Sequence, residues 1–201
     1  MNIPQLNPYT FLEKSGVELE FKYPNSTCAV YKGKINDDYC IVKVGFVGVG
    51  YDILGNLVKL NSSEQVKREV AFLEGTKLNE NTPDLFLSKI FPNTNLLFGL
   101  PQQFREPALL VKEFVEGDVF QSSEYVVSDR AFREVKQFIK SQHSNGYANF
   151  DLGKKDNYLV DGDRIKLFDF GNVMHRSQFG SDLSFQNKKK EDLVNLENML
   201  F

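Results

Sequence analysis

The sequence predicts an α+β fold, with an antiparallel sheet early in the chain and mostly helices later. Three observations carry this. Residues Val17 to Phe46 read as short strands, with Val17-Glu18-Leu19-Glu20-Phe21 alternating at period two. Two segments, about 63–78 and about 128–145, repeat apolar residues at helical spacing. Two short apolar runs, Tyr158-Leu159-Val160 and Ile165-Lys166-Leu167-Phe168, flank Asp161-Gly162, a strong hairpin-turn signal.

Residues 1 to 16 read as a short lead-in broken by Pro4, Pro8 and Gly16. After the first strand come Cys28-Ala29-Val30-Tyr31, a turn at Asn36-Asp37-Asp38, and Tyr39-Cys40-Ile41-Val42-Lys43-Val44. This is the pattern of a three-stranded antiparallel meander. If the strands pair through that turn, Cys40 lies opposite about Lys34 and not Cys28. A disulfide between the two cysteines is then not expected, and free thiols fit a reducing compartment. Lys43 sits inside an apolar run. It either points to solvent from an edge or is buried for a partner.

Gly45 to Leu60 is Gly-rich and apolar, but no Lys-Ser/Thr follows it, so it does not read as a Walker-type phosphate loop. It is read as a loop joining strand to helix. Ser62 with Gln65 gives a capping-box signature, and Val66, Val70 and Leu73 form one apolar face. Glu69 lies at the margin of that face, pointing toward the core. It is either an ordinary glutamate of an amphipathic helix or an ion-pair partner for Lys43.

Residues 79 to 107 hold loops and short strands interrupted by Pro83, Pro92, Pro101 and Pro107. Ala108-Leu109-Leu110-Val111 is a buried-type strand that runs into Lys112-Glu113-Phe114-Val115-Glu116-Gly117. Ser128 caps a helix with Phe132, Val135, Phe138 and Ile139 on one face, and Asn145-Gly146 ends it. After Gly171 the chain is polar to about Asn187. A final helix over about 188–200 carries Leu193, Leu196 and Leu200.

The composition narrows the function classes. The 201 residues are 41% hydrophobic and 25% charged, an ordinary globular profile. A net charge of −3 gives no basic footprint for nucleic acid or a membrane surface. The Lys188-Lys189-Lys190 run is followed at once by Glu191-Asp192 and reads as a solvated helix start. No apolar run reaches the roughly 20 residues of a membrane span, and the start MNIPQLNPYTF has no signal-peptide pattern. A cytoplasmic, soluble protein is expected.

The late hairpin carries the chemistry. It brings the residues before its first strand and those after its second to the same end, so Asp151, Asn157 and Asp169 should converge. Two carboxylates and a carboxamide are hard oxygen donors that suit Mg²⁺ together with phosphate oxygens. The bland alternative is a surface hairpin whose acids are turn residues.

The stretch DLGKKDNYLVDGDRIKLFDFG resembles the catalytic centre of the protein-kinase-like superfamily: an Asp-Leu…Asn loop followed by Asp-Phe-Gly. Upstream, AVYKGK and CIVKV are similar to the second and third strands of that family, and HSNGYANFDL to its approach to the catalytic aspartate. The short tail EDLVNLENML resembles the final helix of small atypical kinases of the RIO type. The resemblance spans about Val17 to Leu200. It implies a two-lobed protein-kinase-like fold, with an antiparallel-sheet N-lobe (residues 1–113, one main helix) and a truncated, mostly helical C-lobe (residues 114–201). The C-lobe would hold the catalytic loop and hairpin at about 149–171.

The resemblance also implies roles. Lys43 would hold the α- and β-phosphates of ATP, and Glu69 would fix its ammonium. Asp169 would bind Mg²⁺ bridging the phosphates, Asn157 would hold a second ion, and Asp151 would orient the acceptor hydroxyl and take its proton. The backbone of Glu113 to Val115 would meet the adenine. Asp192 would brace the catalytic loop from behind. The implied partners are ATP and a phospho-acceptor, protein or small molecule.

The chain departs from the family pattern in several places. Tyr23-Pro24-Asn25-Ser26-Thr27-Cys28 stands where a glycine-rich loop is usual, so the Ser26 and Thr27 hydroxyls would take part of its role. Asn149 stands where His is usual. The loop from Asp151 to Asn157 is one residue longer, which leaves Asp156 as an alternative second metal ligand. Lys112 is an unusual residue at the back of the implied adenine pocket, and the extended activation segment is absent. These departures motivate an alternative: a pseudokinase that binds nucleotide or a partner without catalysis. A third reading, an unrelated α+β domain, predicts that Lys43 and Glu69 are not close in space.

Overall fold

The structure is a computed structural model that describes residues 8–23, 28–51, 57–76, 81–91, 105–115, 118–119, 127–161 and 163–200. It is α+β. The chain divides into two compact units. One comprises Met1–Val70 with Asp84–Phe114; the other comprises Ala71–Pro83 with Val115–Phe201.

The first unit is built on an antiparallel sheet. Its strands are β1 (Val17–Tyr23), β2 (Ala29–Ile35), β3 (Asp38–Tyr51), β4 (Leu57–Asn61), β5 (Leu85–Ile90) and β6 (Arg105–Glu113), in the order β1-β2-β3-β6-β5, with β4 paired to β3. The β2–β3 turn is tight: Ile35 faces Asp38, and Asn36 and Asp37 both take positive φ, 50° and 71°. Asn and Asp tolerate this left-handed geometry, which matches the twist of a two-residue hairpin. Cys40 pairs with Gly33, one position from the expected Lys34, and both cysteines are free.

Alternation decides which side chains are buried together. Cys40, Val42 and Val44 of β3 join Leu109 and Val111 of β6 in one core, closed by Leu12, Val17 and Phe91. Lys43 and Lys112 sit at the intervening positions. Lys43 pairs with Leu110 and Ile41 with Lys112, so the two lysines share the opposite face as diagonal neighbours.

Several expectations are corrected here. Residues 1 to 16 are not only a lead-in. Pro8–Lys14 forms helix α1, with Pro8 at its first position, where the missing N–H costs nothing, and Leu12 in the core. The Gly-rich stretch is not a plain loop: β3 continues to Tyr51 and pairs with β4, Val47 opposite Asn61 and Tyr51 opposite Leu57. Gly45 has a local reason to be glycine. A Cβ there would lie 2.5 Å from the Ser62 carbonyl oxygen. Helix α2 (Ser62–Gly75) starts against this strand, and the Ser62 hydroxyl accepts from Phe46 N–H at 2.9 Å and donates to its carbonyl at 3.1 Å. The hydroxyl of Ser62, the first residue of the helix, is thus bonded to β3. The helix ends at Gly75, short of the expected residue 78.

The second unit contains β7 (Asp118–Val119), α3 (Asp129–Ser144), β8 (Tyr147–Ala148), β9 (Tyr158–Asp161), β10 (Arg164–Leu167), β11 (Met174–His175) and α4 (Asp182–Leu200). Ser128 caps α3, accepting from Ala131 N–H at 3.1 Å, and Gly146 leaves the helix at φ +89°. The hairpin pairs Tyr158 with Leu167 and Asp161 with Arg164, and β7 pairs with β9 on its other edge. The rings of Tyr147, Phe150 and Phe170 all contact Phe72, with Phe170 nearest at 4.7 Å between centroids. Helix α4 starts at Asp182, six residues before the expected 188, because the Ser181 hydroxyl accepts from Ser184 N–H and caps it. Among the described residues no helix is long and apolar enough to cross a membrane.

Candidate functional site

In the first unit, the structure joins Lys43 to Glu69. Helix α2 buries Val66 and Val70 and turns Glu69 inward with them, 1% exposed. The Lys43 Nζ lies 2.8 Å from Glu69 Oε2. The reading in which these two are apart is therefore contradicted. So is the reading of Lys43 as a solvent-facing edge residue, since β3 is paired to both β2 and β6 there. The sequence did not reveal the third member: the Lys112 Nζ lies 2.5 Å from Glu69 Oε1. One buried carboxylate thus takes an ammonium on each oxygen.

Glu113 closes β6. Its N–H donates to the Asp84 carbonyl at 2.8 Å, and its carboxylate accepts from Asp84 N–H at 3.1 Å. Phe114 N–H donates to the Tyr39 carbonyl, and Val115 is buried. Ser26 and Thr27 lie outside the described residues, as does Gly162 of the hairpin turn.

In the second unit, the hairpin gathers the residues expected at its open end. Asn157 immediately precedes β9, and its carbonyl accepts from Phe168 N–H, just beyond β10. Its side-chain Nδ2 donates to the Asp151 carbonyl at 3.0 Å. Asp169 follows Phe168 and accepts from Gly171 N–H at 3.2 Å. Lys154 Nζ lies 2.5 Å from Asp151 Oδ2. The Lys154 ammonium is held above its ordinary pKa, chiefly by this hydrogen bond. The nearby charges of Asp151, Asp169 and Asp156 add to the shift, and partial burial opposes it. Lys154 therefore senses both Asp151 and Asp169.

Asp151 takes a left-handed backbone, φ +55°, and so does Asn149 at φ +70°, a conformation uncommon outside glycine that Asn and Asp accept. Asp192 of α4 holds this geometry. It accepts from Asn149 N–H and Phe150 N–H, both at 2.9 Å, and meets His143 Nε2 at 3.0 Å. Tyr158 adds a hydrogen bond from its hydroxyl to the Leu152 carbonyl at 2.7 Å. Burial, with the charges of Asp192 and Asp151, pushes the Tyr158 phenol well above its ordinary range, so it stays a donor.

Asn172 was also missed from sequence. Its Nδ2 donates to Asp151 Oδ2 at 2.9 Å, while its own carbonyl accepts from Asn149 Nδ2 at 2.7 Å. Asp151 Oδ2 is therefore doubly bound, by Asn172 and Lys154. Among the described residues its Oδ1 makes no hydrogen bond.

The donor set bears on a metal. Among the described residues no group of three or more His, Cys, Asp or Glu is arranged to hold a metal ion on its own. Asp169 and Asn157 supply one carboxylate and one amide oxygen, since the Asn157 Nδ2 is already used on Asp151. That is too few for a closed protein cage. It fits Mg²⁺, which binds through one or two protein oxygens and keeps waters or substrate phosphates. Asp156, the alternative ligand, is exposed, whereas Asn157 is buried.

No protein-family model matches this chain, and no curated protein sequence matches it.

Proposed function

We propose that the chain is a small two-lobed protein-kinase-like phosphotransferase that moves the γ-phosphate of ATP to a hydroxyl of a protein or small molecule. The observation that carries the reading is the buried Lys43–Glu69 ion pair. Lysine and glutamate are rarely fully buried without a functional or structural demand, and here a strand lysine and a helix glutamate meet at 2.8 Å.

In this reading Lys43 grips the α- and β-phosphates as a point charge, and Glu69 fixes its ammonium. Asp169 and Asn157 hold Mg²⁺, which supplies charge neutralisation for the phosphates. Asp151, locked at Oδ2, offers Oδ1 to the acceptor hydroxyl and takes its proton. Asp192 keeps the loop that carries Asp151 in its left-handed form. Backbone groups at Glu113 to Val115 meet the adenine.

The test is ATP turnover by the wild type against Asp169→Ala and Lys43→Ala. Loss of at least about a hundredfold in both variants is expected, the scale on which removed charge-stabilising groups act. Variants that match the wild type sink the assignment. Nucleotide that raises the melting temperature without any phosphate transfer points instead to the pseudokinase reading.

A further inference from the structure

We propose that Lys112 keeps Glu69 neutralised so that Lys43 is released to grip a phosphate ligand. Lys112 is then a positioning residue that acts through Glu69. The inference rests on the nucleotide reading above and deepens it.

The geometry separates the two lysines. Lys112 takes Glu69 Oε1 and Lys43 takes Oε2. The Lys112 side chain is 2% exposed and that of Lys43 is 11%. Lys112 is also anchored on both sides of its backbone: β6 lies between β3 and β5, with Lys112 opposite Ile41 on one edge and Leu85 on the other.

The chemistry derives from burial. In a pair with one lysine, drawing the ammonium toward a triphosphate strips a buried carboxylate of its counter-charge, a costly state. Here the carboxylate keeps one ammonium throughout. Lys43, the more accessible of the two, turns toward phosphate without leaving Glu69 bare. The shared glutamate also explains why two like charges are tolerated as diagonal neighbours on one sheet face.

A double-mutant cycle on the ATP dissociation constant, with Mg²⁺ present, tests this. Lys112→Met is expected to weaken ATP binding about tenfold, and Lys112→Arg to restore most of it. In a Glu69→Gln background there is no carboxylate charge to neutralise. There, Lys112→Met is expected to change the constant by less than about twofold. That pair of variants buries no half-paired carboxylate, so the comparison stands even if Lys112→Met alone does not fold. An equal loss in both backgrounds overturns the inference, because Lys112 then acts other than through Glu69. Unchanged affinity in Lys112→Met overturns it as well. A wild type that binds no ATP overturns the nucleotide reading, and this inference with it. That outcome is told apart because the first measurement of the cycle shows it.

Discussion

Asp192 Oδ1 accepts the Phe150 N–H at 2.9 Å, from a position 42 residues later in the chain. Its other oxygen takes the Asn149 N–H and faces His143. Asp192→Ala leaves two backbone donors and a buried histidine without their acceptor. An unsatisfied buried polar group costs about 1–3 kcal/mol, so the variant is expected to lose roughly 3 kcal/mol of stability. Urea unfolding followed by circular dichroism measures it. A loss under about 1 kcal/mol contradicts the bracing role.

Asn172 grips the same loop from the side of Asp151. If Asp151 orients the acceptor, Asn172→Ala lowers kcat about tenfold or more and leaves the KM for ATP within about twofold, since only the orientation of the reacting group is lost. Asn172→Asp is expected to be worse, because it sets a second carboxylate against the first. Steady-state kinetics on both variants check this. A change in KM alone rules out the orienting role.

Two glycines differ in what surrounds them. At Gly45 a Cβ would lie 2.5 Å from the Ser62 carbonyl oxygen and 2.8 Å from the Ser63 Cα, both backbone atoms that cannot step aside. Gly45→Ala is expected to cost roughly 2–3 kcal/mol, the upper range for overpacking. At Gly146, φ is +89° and the nearest atom is the His175 Nε2, at 3.0 Å on a side chain that can move. Gly146→Ala is expected to cost about 1–2 kcal/mol, mainly from the left-handed backbone. Thermal unfolding of the two variants tests the order, and a reversed ranking contradicts it.

Cys40 is wholly buried in the core of the first unit. Burial pushes its thiol from 9.0 up to about 11, with the charge of Glu20 adding and a hydrogen bond from Gly33 opposing. The folded protein therefore keeps the proton at pH values where the unfolded chain releases it. Stability from this group is whole below pH 9 and falls as pH rises toward 11. Below that window Cys40 is expected to resist alkylation until the protein is unfolded. Mass spectrometry of native protein treated with iodoacetamide at pH 8 reads this out. Rapid native labelling of Cys40 contradicts it.

The parts of the fold that were legible in the sequence are those set by short-range chemistry. Asp161-Gly162 and the apolar runs beside it fixed the hairpin, and with it the approach of Asn157 to the residues after β10. Ser128 and Gly146 marked the ends of α3 because caps and left-handed exits are local events. The Lys43–Glu69 pair was legible because each residue breaks its own apolar pattern.

Lys112 breaks the pattern of β6 in the same way, but its partner depends on register between strands far apart in the chain. Asn172 gives no periodic signal at all; the turn after Phe170, closed by Val173 N–H on the Phe170 carbonyl, places it. The continuation of β3 past Gly45 was hidden because Gly45 serves a close backbone approach to Ser62, and a glycine-rich run looks the same in sequence as a loop.

Strand β3 pairs with β2 and β4, its neighbours in sequence, and with β6, which is synthesised much later. The two hairpins close short loops, whereas the β3–β6 ladder joins residues roughly seventy positions apart, a slower and entropically dearer step. A chain still emerging from the ribosome, or cut short before Arg105, would carry the Cys40–Val44 edge bare, with apolar Val42 and Val44 beside it. Such an edge is a template for strand addition by other chains. The arrangement that sets two lysines around one glutamate thus also defines when, during synthesis, this protein is most exposed to aggregation.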